Sequence, residues 1–342
     1  MSKLRDLALT ALLASAALSV SAQEVKLKFH HMWNPAAMGA TNVIKPWCEK
    51  IAAESNGRMV CELFPAMQLG GTPAQLIDQV RDGVVDIVFT VPGYTAGRFP
   101  ITEVFELPFM TNSAEAGAKS VWDFYAKYGQ KEWAGFKPLL FTVHDEGYLH
   151  TRDKQVKTMA DLKGLKIRAS TRTVSKMVTA LGATPVQMPL PSVAESVSKG
   201  VIDGFLLPWE VFPPLKLHEM VKYHSETDPS RPALYASVLT MVMNPAKYSS
   251  LAPDLKAIID RNSGATLSAF AGKAWDDSQA GNRKPAVDRG NTFYTIPASE
   301  LDNWVKASAN VSEEWVAAMD KAGLPGKQML DDARASLAKY RK

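Results

Sequence analysis

The sequence predicts an α/β fold in two related lobes. Strand-like and helix-like stretches alternate along the chain, the order that puts helices on the faces of a mostly parallel sheet. A short echo links Gly83-Val84-Val85-Asp86 with Gly200-Val201-Ile202-Asp203, so the unit appears twice. At roughly 100–200 residues per domain, a chain of 342 residues has room for about two such units.

Residues 25–29 alternate apolar and polar with the period of two that sets one side of a strand against a core. A helical stretch follows to about Ser55 and stops at Asn56-Gly57, while Pro46 within it implies a kink or a late start. Residues 59–64 read as a strand. Thr72-Pro73-Ala74-Gln75 has a capping-box pattern, with proline where a missing N–H costs little. That helix ends at Gly83, and residues 84–89 form a buried strand. Further on, Thr158 and Asp161 cap a short turn, 165–169 is a strand, and 173–181 is a helix ended by Gly182. A second strand at 185–188, a helix at 192–199 ended by Gly200 and a third strand at 201–207 complete the pattern. The two echoed segments lead to Pro92 and Pro208, so each lobe should end a central strand at a common cleft. From about Leu251 the chain turns helical, and Trp304 and Trp315 mark later helices packing on a core. Glycine and proline are too sparse for flexible linkers, so strands or a long helix should join the lobes.

Composition excludes several classes. At 46% hydrophobic and 22% charged the chain buries a large core, which excludes disorder. The balance of 39 Lys+Arg against 35 Asp+Glu is only +4 and is scattered, so no nucleic-acid partner is expected. After the first two dozen positions no apolar run reaches the 18 or so residues of a membrane span. Lys3 and Arg5, the apolar stretch 7–20 and the small residues Val20-Ser21-Ala22 read as a signal peptide, 1–22, and hence an exported, periplasmic protein. Cys48 and Cys61, 13 apart, are either a disulfide or two buried thiols; there is no C-x-x-C redox motif.

Ligands of open α/β sheets bind beyond the carboxyl ends of the strands, near helix N-termini. Arg168 lies near such an end, just before a helix opened by Thr171-Arg172-Thr173, where a guanidinium suits a carboxylate; the position by itself also fits an ordinary surface arginine. The other strand ends are aromatic and apolar. They supply His31 and Trp33, then Tyr94, then Phe205, Leu207 and Trp209. A cleft lined by them would suit an apolar or aromatic ligand body with one charged end. His30-His31 on a strand point to opposite faces and cannot share one metal ion without distortion. His144-Asp145-Glu146 reads as structural or solvent-facing, and H-E-x-x-H, G-x-S-x-G, P-loop and G-x-G-x-x-G motifs are absent. No enzyme activity, cofactor or metal is expected.

Five stretches in order also carry a family resemblance. They are Phe64-Pro65-Ala66-Met67-Gln68-Leu69-Gly70-Gly71, Gly83-Val84-Val85-Asp86-Ile87, Glu106-Leu107-Pro108-Phe109, Asp161-Leu162-Lys163-Gly164-Leu165-Lys166-Ile167-Arg168 and Gly200-Val201-Ile202-Asp203-Gly204. With these the chain, from about residue 25 to its C-terminal helices, resembles the periplasmic solute-binding proteins of TRAP transporters, the C4-dicarboxylate-binding-protein type. The resemblance implies a periplasmic-binding-protein clam, with a ligand cleft between two α/β lobes and a long helix spanning both. It also implies closure on a small organic acid, delivery to membrane permease subunits, and Arg168 as the carboxylate clamp. The lobes are then expected at 23–145 plus about 233–272 and at 146–232 plus about 273–342, in a monomer.

Two departures bear on the ligand. Sialic-acid-type members carry a second arginine where this chain has Tyr148, and an asparagine where it has Leu207. Tyrosine and leucine there remove partners for a polyhydroxylated substrate, at roughly 1–3 kcal/mol per buried hydroxyl left unpaired. The expected ligand is therefore a hydrophobic or aromatic monocarboxylate, with Tyr148 also on the cleft. A C4-dicarboxylate, 2-oxo acid or sugar acid is the alternative.

Overall fold

The computed structural model describes residues 25–111 and 113–341, so the signal peptide expected at 1–22 lies outside the described residues. In chain order the strands are β1 (Val25–His31), β2 (Met59–Phe64), β3 (Ile87–Thr90), β4 (Lys137–Val143), β5 (Tyr148–Thr151), β6 (Lys166–Ala169), β7 (Thr184–Gln187), β8 (Gly204–Leu207), β9 (Tyr223–Thr227), β10 (Val238–Met243) and β11 (Thr292–Ile296). Among the described residues they form two sheets, ordered β2-β1-β3-β10-β4 and β11-β9-β5-β8-β6-β7. Each sheet has three parallel strands at one end, β2-β1-β3 in one and β8-β6-β7 in the other, joined through an antiparallel pairing to the rest of the sheet. β3, β8 and β10 are buried along their whole length, which is why they read as continuous apolar runs.

The internal echo is a repeated device for starting a strand. Gly83 and Gly200 end their helices at φ 74° and 69°, a left-handed conformation that suits a residue without Cβ. Three residues later, Asp86 Oδ2 accepts from the Lys28 N–H at 2.8 Å, and Asp203 Oδ2 accepts from the Lys166 N–H at 2.8 Å. Each aspartate side chain thus stands in for main chain at the edge of the parallel pair. The turn occupies part of the apolar run, so the strands begin at Ile87 and Gly204 rather than at 84 and 201.

Other local signals hold. The capping box at Thr72 forms, with Gln75 Oε1 accepting from the Thr72 N–H at 2.8 Å, and the Thr158–Asp161 pair repeats it. Pro46 stands where the π-helical stretch Gly39–Ile44 passes directly into the α-helix Lys45–Glu54, so the helical run begins ahead of the proline. Cys48 on that helix and Cys61 on β2 form a disulfide, with Cα atoms 5.7 Å apart.

The chain passes between the sheets after β4, returns between β9 and β10, and leaves again through the 24-residue helix Ala265–Asp288. This helix packs on the helix Ala114–Phe124 and β4 on one side, and on the turn Trp209–Val211 and helix Phe212–Leu215 on the other. It is the long element spanning both lobes. Gly272 lets it touch backbone: a Cβ there would lie 2.4 Å from the Ala114 carbonyl.

The stretch from about 273 to 342, expected in the second lobe, divides its contacts between the two lobes. Leu301 and Trp304 do join the core of the second sheet, with Leu206 and Ile167. The helix Gly326–Tyr340 instead lays Met329, Leu330, Ala333 and Leu337 on Ala114–Phe124 of the first lobe. The Lys127 Nζ–Asp332 Oδ2 ion pair at 2.6 Å lies at this contact, and the Trp315 indole N–H donates to Pro100 O at 2.8 Å. Helical periodicity marks an apolar stripe but does not name the surface that covers it.

Candidate functional site

The exits of β1 and β3 on one lobe meet those of β6 and β8 on the other, the position the strand-end rule predicts. Between them lies a small cavity of about 30 Å³, walled by Trp33, Tyr94, His144, Arg168, Leu207, Glu210 and Tyr235. Met32, Val91, Leu190, Pro208, Val211 and Leu239 supply the apolar part of the lining, and Ser170 and Ser237 add two hydroxyls. An outer groove of about 430 Å³ shares Met32, Trp33, Leu190 and Val211 with it and opens between the lobes. The groove is larger but holds no charged side chain, so the chemistry sits in the inner cavity.

Arg168 is 1% exposed. Its Nε donates to Met188 O at 3.0 Å and its Nη1 to Leu206 O at 3.1 Å, which leaves other guanidinium N–H groups for the cavity. No carboxylate among the described residues forms a salt bridge with it. The helix Arg172–Ala180 starts just beyond, capped by Thr171, and its N-terminal dipole adds to the positive field.

Around Arg168 the polar groups are fixed. The Tyr235 hydroxyl donates to Leu206 O at 2.8 Å, and the Tyr94 hydroxyl accepts from the Leu190 N–H at 3.1 Å. His144 Nε2 accepts from the Ser237 N–H at 2.9 Å, so its proton is on Nδ1 and is donated to Asp145 O at 2.5 Å. Burial lowers this histidine to about 4, against the backbone bond and helped by Arg168, and it is neutral at pH 7. Ser170 and Ser237 share a 2.9 Å hydrogen bond. Tyr235 lies over Gly147, where a Cβ would come 2.1 Å from its ring, so this glycine is needed for the ring to seat.

One further contact joins the lobes. Arg172 grips Glu103 in bidentate fashion, Nε to Oε1 at 2.9 Å and Nη2 to Oε2 at 2.6 Å. Glu106 Oε1 accepts from the Val238 N–H at 3.0 Å, and burial together with Glu103 pushes its carboxyl up to about 8. At the rim of the groove, Ala66 and Met67 adopt φ of 51° and 59°, strained for residues with a Cβ. Their N–H groups donate to Trp33 O at 3.0 Å and His31 O at 3.1 Å, holding the exit of β1 in place.

Of the residues expected at the site, Trp33, Tyr94, Arg168 and Leu207 line the cavity and His31, Tyr148, Phe205 and Trp209 do not. Phe205 shares a strand face with Leu207 but lies one step further from the exit, against Phe212 and His150. Trp209 turns away into an aromatic cluster with His150, Phe212, His224 and Phe293, its N–H donating to Glu226 Oε1 at 3.0 Å. Tyr148 leans on Trp209 and lies beside Gln279. His31 packs between Phe29 and Trp33, opposite His30, which bonds Gln79 Oε1 at 2.7 Å. His144, read from the sequence as structural or solvent-facing, is a wall residue, and Tyr235, Glu210, Ser170 and Ser237 carried no signal of their own.

Among the described residues no group of three or more His, Cys, Asp or Glu is placed to hold a metal ion, and no helix is long and apolar enough to cross a membrane.

This architecture is shared with solved structures. The chain superposes with a TM-score of 0.91 on a TRAP solute binding protein from Rhodoferax ferrireducens in complex with copurified benzoate, at 48% identity over 92% of this chain and 98% of that one. A marine metagenome TRAP solute binding protein, specific for aromatic acid ligands and bound to 3-hydroxybenzoate, gives 0.91 at 44% identity, over 94% and 100%. A TRAP periplasmic solute binding protein from Bordetella bronchiseptica, with bound (R)- and (S)-mandelate, gives 0.85 at 29% identity, over 93% and 100%. Residues 29–318 match the family model for bacterial extracellular solute-binding proteins, family 7. With that match, two lobes around a cleft and a spanning helix, the chain belongs to the family 7 extracellular solute-binding proteins and serves as a TRAP solute-binding protein.

Proposed function

We propose that this protein captures an aromatic monocarboxylate in the periplasm, holds its carboxylate on Arg168, and hands it unchanged to the membrane permease subunits of a TRAP transporter. One observation carries the reading: Arg168 is a fully buried cation whose hydrogen bonds go to neutral carbonyls, in a cavity otherwise walled largely by apolar and aromatic groups. A buried charge without a counter-ion is costly, so the site is completed by an anion. One arginine and a neutral histidine match one carboxylate; Trp33, Leu207 and Leu239 match a ring. The three similar structures hold benzoate, 3-hydroxybenzoate and mandelate, which supports the same class here. A sugar acid would bring more hydroxyls than the few polar groups of this lining pair, and a dicarboxylate a second charge with no second cation beside it.

Closure follows from contacts that the ligand makes to both lobes at once, with Trp33 and Tyr94 on one side and Arg168 and Leu207 on the other. The test is a thermal-shift series with benzoate, succinate and galactonate. At a hundred times Kd a ligand adds about 2.7 kcal/mol, so benzoate should raise the melting temperature by several degrees. A larger shift with succinate or galactonate overturns the reading.

A further inference from the structure

The cavity wall contains a carboxyl group that anchoring a carboxylate on Arg168 does not use. Glu210 stands in the turn Trp209–Val211, three residues past Leu207, and is 4% exposed. Its Oε2 has no hydrogen-bond partner among the described residues. An ionised carboxylate left in that state would be uncompensated, so the group keeps its proton. Burial pushes it up to about 8, with the Trp275 indole N–H acting in the opposite sense. The other titratable groups that bear on it are equally buried: Asp145, raised well above the usual carboxylate range, and Tyr235, also raised. Tyr235 stands within reach of both groups, its phenol acted on by Arg168 and by Glu210. The guanidinium comes from β6 and the carboxyl from the turn after β8, so the two polar groups enter the lining from different elements.

A protonated carboxyl donates one hydrogen bond and accepts another. It complements a hydroxyl group, is poorly served by a bare ring edge, and repels a second anion. We propose that Glu210 is a specificity-determining residue that hydrogen-bonds a hydroxyl substituent of the ligand, so that the site prefers hydroxylated aryl monocarboxylates to unsubstituted ones. This rests on the aromatic-carboxylate reading above.

The experiment is calorimetric titration of the purified protein at pH 7 with benzoate and its three monohydroxy isomers, for the wild type and for Glu210→Leu, Glu210→Ala and Glu210→Gln. At least one hydroxybenzoate should bind the wild type about tenfold tighter than benzoate, the scale of one buried hydrogen bond. Glu210→Leu and Glu210→Ala should bring that ratio to about one, while Glu210→Gln, which keeps a donor and an acceptor, should preserve it. Two hydrophobic variants of different size protect the test against one of them failing to fold. The proposal is overturned if no isomer exceeds benzoate on the wild type, or if the ratio survives in a folded Leu or Ala variant. Failure of benzoate and all isomers to bind the wild type would overturn the aromatic-acid reading itself.

Discussion

Arg168 and Tyr235 hold the same atom. The guanidinium Nη1 and the phenol hydroxyl both donate to the carbonyl oxygen of Leu206, at 3.1 Å and 2.8 Å. One residue comes from β6 and the other from the segment that carries the chain back to the first lobe, so the anchor is fixed by both the sheet and the crossing. Tyr235→Phe removes one of these bonds at a cost of about 1 kcal/mol. Benzoate binding should weaken about fivefold while the variant stays folded, as measured by calorimetry beside a melting curve. Unchanged affinity would show that the shared carbonyl does not position Arg168.

The Arg172–Glu103 pair bridges the lobes with a nearly buried Glu103 and a half-exposed Arg172. Arg172→Ala removes a bidentate contact worth about 1 kcal/mol at this exposure. It should raise the ligand dissociation rate about fivefold and enlarge the ligand-free particle in solution scattering. An unaltered dissociation rate would mean that the pair does not stabilise closure.

Glu106 sets a pH dependence of stability. Its carboxyl is up to about 8 in the fold, because of burial and Glu103, against 4.5 as its ordinary value. Between those values the unfolded chain releases a proton that the folded chain retains, so stability falls as pH rises from 4.5 to 8 and levels off above. Glu132, up to about 7, and Glu210, up to about 8, add in the same direction. Glu106→Gln removes one contribution, so its melting temperature should gain about 2–4 °C on the wild type between pH 5 and pH 8. A gap that stays constant with pH would contradict a protonated Glu106.

The disulfide joins the helix Lys45–Glu54 to edge strand β2. Replacing Cys48 and Cys61 together by alanine should cost about 2–4 kcal/mol in denaturant unfolding and leave benzoate affinity within about twofold, because neither cysteine lines the cavity. A larger loss of affinity would place the constraint upstream of the site.

How much of this was legible in the sequence follows from what each signal encodes. The echo around Asp86 and Asp203 was legible because each aspartate bonds a strand that lies beside its own turn, in a short local pattern. The capping box at Thr72 was legible because four consecutive residues form it. Leu207 and Phe205 looked alike because alternation assigns a face and not a distance from the exit, and Phe212 covers one of them. Tyr235 and His144 come from the lobe crossings, whose irregular backbone has no period to read. Their partners are remote, Leu206 for Tyr235 and Ser237 for His144, 29 and 93 positions away.

The measurement closest to the central claim is a crystal structure of the purified protein grown with benzoate, paired with titration of Arg168→Lys. The carboxylate should sit on the Arg168 guanidinium and the ring against Trp33 and Leu207, and binding to the lysine variant, which lacks the planar fork, should be at least about tenfold weaker. A carboxylate seated away from Arg168, or an affinity that survives Arg168→Lys, would contradict that claim.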